Sequence, residues 1–188
     1  SVVFDTYWQF AANRQAVFFR RFAQLPPPWT DDPILQEYKF TNAYRGSDRV
    51  SQFLIRHIIY EGDESPNEVF FRIILFKLFN KIETWELLRQ QQGRISYADY
   101  SFDHYDHVLS EAIAQGQRIY SAAYIMPSGS KTFGSTRKHR AHLKLLERMM
   151  EDELPYRLTE ARSMFAAFKL LRSYPMIGDF LAYQYVTD

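Results

Sequence analysis

The stretch Ser65-Pro66-Asn67-Glu68-Val69-Phe70-Phe71-Arg72-Ile73-Ile74-Leu75-Phe76-Lys77-Leu78-Phe79 decides how the rest of the chain is read. A serine, a first-turn proline and a glutamate three residues after the serine match the capping-box pattern, in which the two side chains satisfy backbone N–H groups reciprocally. The eleven residues that follow Glu68 are apolar almost all round, the pattern of a central, buried helix. Outward from it, apolar residues keep helical spacing and glycine is scarce, 7 in 188 residues, so the chain reads as all-α. Upstream, Phe4, Tyr7, Trp8, Ala11, Phe18, Phe22 and Leu25 form one helix face that must end at Pro26-Pro27-Pro28. Asp32-Pro33 predicts a helix over 33–45, and Ser47 is the expected N-cap of another, carrying Val50, Phe53, Leu54, Ile58 and Ile59 to a stop at Gly62. Downstream, helices are expected over 83–92, 102–115, 136–151 and 157–171. The run 118–126 has strand-like composition but is read as helix or irregular structure, and 127–135 has loop composition. The expected architecture is a single helical domain of nine or ten helices, with lobes 1–126 and 136–188 joined by 127–135.

With 46% hydrophobic residues the chain can bury a substantial core. Its net charge of +1 gives no global attraction to polyanions, so a nucleic-acid surface must come from local clustering of its 23 Lys and Arg. Cysteine is absent, which removes disulfides, thiolate zinc sites and a cysteine nucleophile together. No window approaches the roughly 20 apolar residues of a membrane span and no signal-peptide pattern opens the chain. The expectation is therefore no membrane partner and a cytoplasmic location, or a nuclear one in a eukaryote, rather than secretion. Helical patterns run almost to both ends, so the chain is expected to be a fragment of a longer protein. Neither a G-x-S-x-G elbow nor a G-x-x-x-x-G-K-[ST] loop is present, so this segment cannot itself be a P-loop kinase.

Four constellations can carry chemistry. Leu170-Leu171-Arg172-Ser173-Tyr174-Pro175-Met176-Ile177-Gly178-Asp179-Phe180-Leu181-Ala182-Tyr183-Gln184 reads as helix, tight hairpin, helix. Pro175 stops the first helix, Gly178 permits a positive φ, and Asp179 is an N-cap or first-turn residue of the second. Such a hairpin offers backbone N–H groups to a phosphate, with Ile177, Gly178 and Asp179 at the contact; an ordinary helix connection is the plainer alternative. Its spacing resembles the helix-hairpin-helix of DNA repair glycosylases, with Met176 replacing the first glycine of Pro-Gly-Ile-Gly. Between Lys131 and Arg148, the residues Lys131, Arg137, Lys138, Arg140, Lys144 and Arg148 face a single acid, Glu147, and can track a phosphate backbone or simply form a solvated face. From Trp29 to Gln52, amides, charges and aromatics are mixed, which suits stacking a base and reading its edge through Trp29, Asn42, Tyr44, Arg45, Asp48 and Arg49. There the plainer reading makes Trp29 and Phe40 core and Arg45–Asp48 an ion pair. Finally, Lys77 in an apolar helix must reach a carboxylate, a phosphate or water, with Asn80 and Glu83 following at helical spacing. The alternative is a snorkelling lysine and a C-capping asparagine. His104 and His107, beside Asp103 and Asp106, have a spacing that can ligate a metal, but no third and fourth ligand is indicated, and neither metal nor cofactor is expected.

The segments Pro28-Trp29-Thr30-Asp31-Asp32-Pro33-Ile34-Leu35, Lys39-Phe40-Thr41-Asn42-Ala43-Tyr44-Arg45, Ser47-Asp48-Arg49-Val50-Ser51-Gln52, Leu75-Phe76-Lys77-Leu78-Phe79-Asn80-Lys81-Ile82-Glu83-Thr84-Trp85, Ala123-Tyr124-Ile125-Met126 and Gly178-Asp179-Phe180-Leu181-Ala182-Tyr183-Gln184 together resemble one family. It is the helical domain of bacteriophage 5-hydroxymethyluracil DNA kinases and of the related alpha-glutamyl/putrescinyl thymine pyrophosphorylases. The resemblance implies a DNA-glycosylase-like helical protein acting on modified bases in double-stranded DNA, by excision or group transfer on a flipped base. It implies phosphate or leaving-group contacts at Arg45, Arg49 and Lys77, and base contacts at Asn42 and Asn80. Asp48, Glu83 or Asp188 would serve as base or electrostatic stabiliser, so that Asp48, Lys77, Glu83 and Asp188 are the catalytic candidates. The alternative is a non-catalytic helical DNA-binding domain attached to a separate kinase.

Overall fold

The computed structural model describes residues 1–123 and 126–188, all-helical with no strand among them. Part of the 118–126 run, Tyr124 and Ile125, lies outside the described residues. Two compact units, Ser1–Gln52 and Phe53–Asp188, organise the chain.

In the first unit, α1 (Val2–Phe22) starts where the Ser1 hydroxyl accepts from the Phe4 N–H and buries none of its residues. Its inner contacts are made with the segment after α2 (Pro33–Glu37), where Phe10 meets Phe40 edge-on at 5.1 Å and the Arg14 guanidinium lies 5.6 and 5.8 Å from those two rings. Asp32 and Pro33 start α2 as expected, with the Asp32 carboxylate accepting from Ile34 N and Leu35 N. That helix does not run to Arg45. It ends at Glu37 because the next backbone groups find partners elsewhere: the Thr41 carbonyl takes Arg14, and Tyr44 N donates to Gln15 Oε1. A single 3₁₀ turn, Arg45–Ser47, precedes α3 (Arg49–Leu54). The residue that caps α3 is Asp48, whose carboxylate accepts from Val50 N at 2.9 Å, and not Ser47.

The second unit is built around α4 (Pro66–Phe79), which follows a π-helical turn, Ile55–Ile59. Nine of its fourteen residues are buried, as its all-round apolar pattern predicts. Around it stand α5 (Ile82–Gln92), α6 (Phe102–Ala114), α7 (Ser130–Phe133), α8 (Lys138–Glu151), α9 (Leu154–Thr159), α10 (Met164–Arg172) and α11 (Asp179–Thr187). Helix α4 packs on α8, α9 and the π turn, α6 packs on α8, and α10 on α11. Phe71, Leu75, Leu78, Tyr105, Leu109, Leu143, Leu145 and Leu146 are fully buried between them, each apolar side chain worth about 1.5–3 kcal/mol.

Three local expectations are corrected. At the start of α4 the Ser65 hydroxyl makes no cap bond; Ser65 N donates to Asp63 instead. Glu68, the other half of the expected box, is turned to the 96–98 loop, where Ser96 Oγ, Tyr97 N and Ala98 N offer it three donors in place of one. The helix predicted over 157–171 is two, broken at the polar Glu160-Ala161-Arg162-Ser163, where the Ser163 hydroxyl caps α10 by accepting from Ala166 N. Residues 127–135, expected as an inter-lobe loop, lie inside the second unit and contain α7.

Candidate functional site

The last turn of α4 ends on Asn80, which adopts the left-handed conformation (φ 49°, ψ 41°) that asparagine tolerates better than most residues. This turn points the Asn80 carboxamide back at Lys77, whose Nζ donates to Asn80 Oδ1 at 2.9 Å. Lys77 Nζ also stands 3.0 Å from the Asp188 carboxylate at the end of α11, with both side chains 4% exposed. Beside them the Tyr185 hydroxyl donates to Met126 Sδ at 3.2 Å; burial, and after it the Asp188 charge, push its phenol well above the usual range. A desolvated ammonium held between a carboxylate and a carboxamide is an arrangement able to position or exchange a proton. Glu83 is not part of it. It is exposed in the first turn of α5, because the left-handed residue at 80 interrupts the helical spacing that would have stacked it above Lys77.

One layer away, Tyr120 packs on Phe79 at 5.2 Å and its hydroxyl is 2.8 Å from His142 Nδ1. His142 Nε2 lies 2.8 Å from the Pro127 carbonyl, which can only accept, so Nε2 carries the proton and Nδ1 accepts from Tyr120. Burial pulls the His142 imidazolium down to about 4, opposed by the bond to Pro127.

The basic segment is less free than its composition suggests. Arg140 makes a two-pronged pair with Asp106, both contacts at 2.7 Å, and the buried His139 bonds the same carboxylate at 2.8 Å. Burial raises the Asp106 carboxyl, but the bonds from Arg140 and His139 outweigh it and hold it below its ordinary value. Arg137 donates to Ser110 Oγ at 2.6 Å, and Lys138 Nζ sits 4.4 Å over the Tyr120 ring. Three of the six basic residues of the segment thus have partners inside the fold; Lys131, Lys144 and Arg148 are exposed, with Lys144 donating to the Phe133 carbonyl at 3.4 Å and Arg148 3.9 Å from Asp152. Asp106, expected beside a His104–His107 metal spacing, is turned to α8, and His107 instead faces Glu111 at 3.4 Å. Among the described residues no group of three or more acidic or histidine side chains is placed to hold a metal ion.

The turn between α10 and α11 lines a concavity of about 560 Å³ with Arg148, Arg172, Ser173 and residues 174–178. The positive φ is at Met176 (φ 68°) and not at Gly178, whose φ is −83°. Gly178 precedes α11 as its N-cap, with open space where a side chain would stand, and Asp179 is the first helical residue, held by Arg172 at 2.6 Å. Arg172 also donates to the Ile177 carbonyl at 3.3 Å.

In the first unit, Trp29 is half-buried: its Nε1 donates to the Leu25 carbonyl at 2.7 Å, and the Arg21 guanidinium lies 5.2 Å over its ring. Asn42 donates to the Ser47 carbonyl at 2.7 Å, Tyr44 is 67% exposed, Arg45 is half-buried and Arg49 is exposed. Asn42 and the Asp48 carboxylate are thus spent on backbone groups, whereas Tyr44 and Arg49 face outward. Sequence reasoning names Asp106 only beside the His104–His107 spacing, and passes over Tyr120, Ser110 and Arg172 as polar contributors. The only signal for Asp106, Tyr120 and Ser110 in these roles was the pair of histidines, one turn apart on α8, that needed buried partners.

Comparison with known proteins adds the family. The family described as 5-hmdU DNA kinase, helical domain, matches residues 1–188. The curated 5-hmdU DNA kinase of Bacillus phage SP10 is 24% identical over 197 residues, covering 99% of this chain and 31% of that protein. The chain therefore spans about a third of the length of the curated relative it matches. No solved structure matches.

Proposed function

The chain belongs to the helical-domain family of the 5-hmdU DNA kinases, and from that premise we propose that it is a DNA-holding domain serving a separate kinase domain. Its substrate in this reading is DNA carrying 5-hydroxymethyluracil, presented so that a phosphoryl group can be placed on the modified base. The observation that carries it is the match along the whole chain to a helical domain, in a sequence with no P-loop of its own. The concavity at the α10–α11 turn supports it, because Arg148 and Arg172 line it and a DNA phosphate can share their guanidinium groups with Asp152, 3.9 Å from Arg148, and Asp179, 2.6 Å from Arg172. Lys144, one helical turn before Arg148 on α8, adds a further exposed cation. Binding of a 5-hydroxymethyluracil duplex by the full-length protein, followed by anisotropy over a salt series, tests it. Arg148→Ala and Arg172→Ala should each weaken binding and lower the salt slope by about one unit. Unchanged slopes in both would remove the turn from the binding surface.

A second reading is favoured by one contact. Lys77 and Asp188 meet at 3.0 Å in the interior, where an ion pair is rarely the most stabilising choice. In this reading the domain itself modifies or excises a flipped base, with Lys77 and Asp188 as the reacting pair and Asn80 orienting Lys77. Nucleoside mass spectrometry after incubation with DNA bearing 5-hydroxymethyluracil or its phosphorylated form separates the two. Loss or exchange of the base that Lys77→Met abolishes per folded molecule supports the second, and phosphorylation of an intact base that needs only the kinase domain's residues supports the first.

A further inference from the structure

The two helices flanking the α10–α11 turn expose aromatic side chains to solvent. On α10, Phe165, Lys169 and Arg172 fall at positions i, i+4 and i+7, one continuous stripe, with Phe165 64% exposed and stacked on Phe168 at 6.3 Å and 8°. Lys169 Nζ lies 4.4 Å over the Phe165 ring. On α11, Tyr183 and Thr187 lie one turn apart, and Tyr183 is 59% exposed. Large aromatics left in water cost stability and mark a surface that something covers.

The geometry points to unpaired nucleobases of a DNA strand as that cover, stacked on Phe165 and Tyr183 while the strand's phosphate sits at the turn between them. The composition of the stripe argues for this occupant over a protein surface. Protein interfaces exclude lysine from their centres, whereas here Lys169 lies over the Phe165 ring, with Arg172, paired with Asp179, further along the same line. Cations interleaved with rings suit a strand that alternates phosphates and flat bases. The inference rests on the DNA-binding reading above and goes beyond it. A duplex hides its base faces, so a stacking surface predicts preference for a strand that is locally opened.

Binding of the full-length protein to two single-stranded oligonucleotides of equal length, one with bases and one abasic throughout, tests this. Phe165→Ala and Tyr183→Ala should each weaken binding of the base-containing strand by about 5-fold or more and leave the abasic strand unaffected. Quenching of 2-aminopurine in the strand should accompany native binding and be lost in the variants. Both positions are exposed, so melting temperatures should not move and the comparison is not confounded by unfolding. Equal affinity of the native protein for both strands would overturn the stacking surface while leaving DNA binding standing. Absence of binding to either strand, and to duplex, would remove the DNA-binding reading and this inference with it.

Discussion

Lys77 Nζ lies 3.0 Å from Asp188 Oδ2 with both side chains 4% exposed, so one helix end and the end of another are joined by a desolvated ion pair. Removing one member of such a pair strands the other charge, and that loss exceeds what the intact pair contributes. Lys77→Met should therefore destabilise the fold by about 3 kcal/mol in urea titration, and Asp188→Leu similarly. The double variant should be less destabilised than the sum, because neither charge is then left behind. Strict additivity would show that the two side chains do not depend on each other.

His142 makes stability depend on pH in a defined window. Its folded value of about 4 lies below the ordinary 6.5, chiefly through burial, with the neighbouring Lys138 and His139 adding to the drop and the Pro127 bond opposing it. Between those values the unfolded chain takes up a proton that the folded chain refuses. Stability is thus complete above pH 6.5 and declines as pH falls toward 4, by on the order of 3 kcal/mol in all. His139, also lowered by burial although Asp106 opposes it, acts in the same direction. Urea midpoints from pH 7.5 to 5 should fall in the native protein and flatten in His142→Asn. An imidazole NMR titration showing His142 protonated at pH 6 would contradict the assignment.

Glu68 ties the start of α4 to the 96–98 loop through three accepted hydrogen bonds, and Arg72 stands 3.7 Å away while donating to the Ile58 and Ile59 carbonyls. Glu68→Gln replaces one accepting oxygen with a donor and leaves Arg72 without its countercharge. A loss of about 2 kcal/mol is expected, with faster amide exchange at Tyr97 and Ala98 as its local signature. Exchange rates unchanged at those two residues would show that the loop is held by other contacts.

These cases show what a sequence can and cannot disclose. The all-round apolar α4 announced itself because burial on every side leaves no polar face, and the need of Lys77 for a partner followed from that same burial. The identity of the partner did not follow. Helical spacing favoured Glu83, but the left-handed Asn80 breaks the register, and Asp188 reaches the site only through the packing of α11. The surroundings of the basic segment were not legible for a related reason: composition counts charges, whereas the fold pairs Arg140, Arg137 and Lys138 with Asp106, Ser110 and Tyr120. The family, by contrast, was legible, since its motifs are spread along the chain and depend on no single contact.

The left-handed residue of the α10–α11 turn offers a last test, because it falls on Met176 where glycine is the natural choice. Something must hold a methionine there, and Gly129 shows what does. A Cβ placed on Gly129 would stand 2.5 Å from Met176 Sδ and 2.8 Å from Ala141 Cβ, so the Met176 side chain lies against the bare glycine, beside α8. Gly129 itself has a φ of 67°, so a side chain there meets backbone strain as well as crowding. Gly129→Ala should cost about 2 kcal/mol, roughly the left-handed penalty with added displacement of Met176. Met176→Gly removes the strain at 176 but also the side chain that anchors the turn, so its stability should change little while the turn loosens. If that anchoring presets the phosphate concavity, Met176→Gly should weaken DNA binding without a matching fall in melting temperature. DNA affinity unchanged in Met176→Gly would show that the turn keeps its shape without the contact to Gly129.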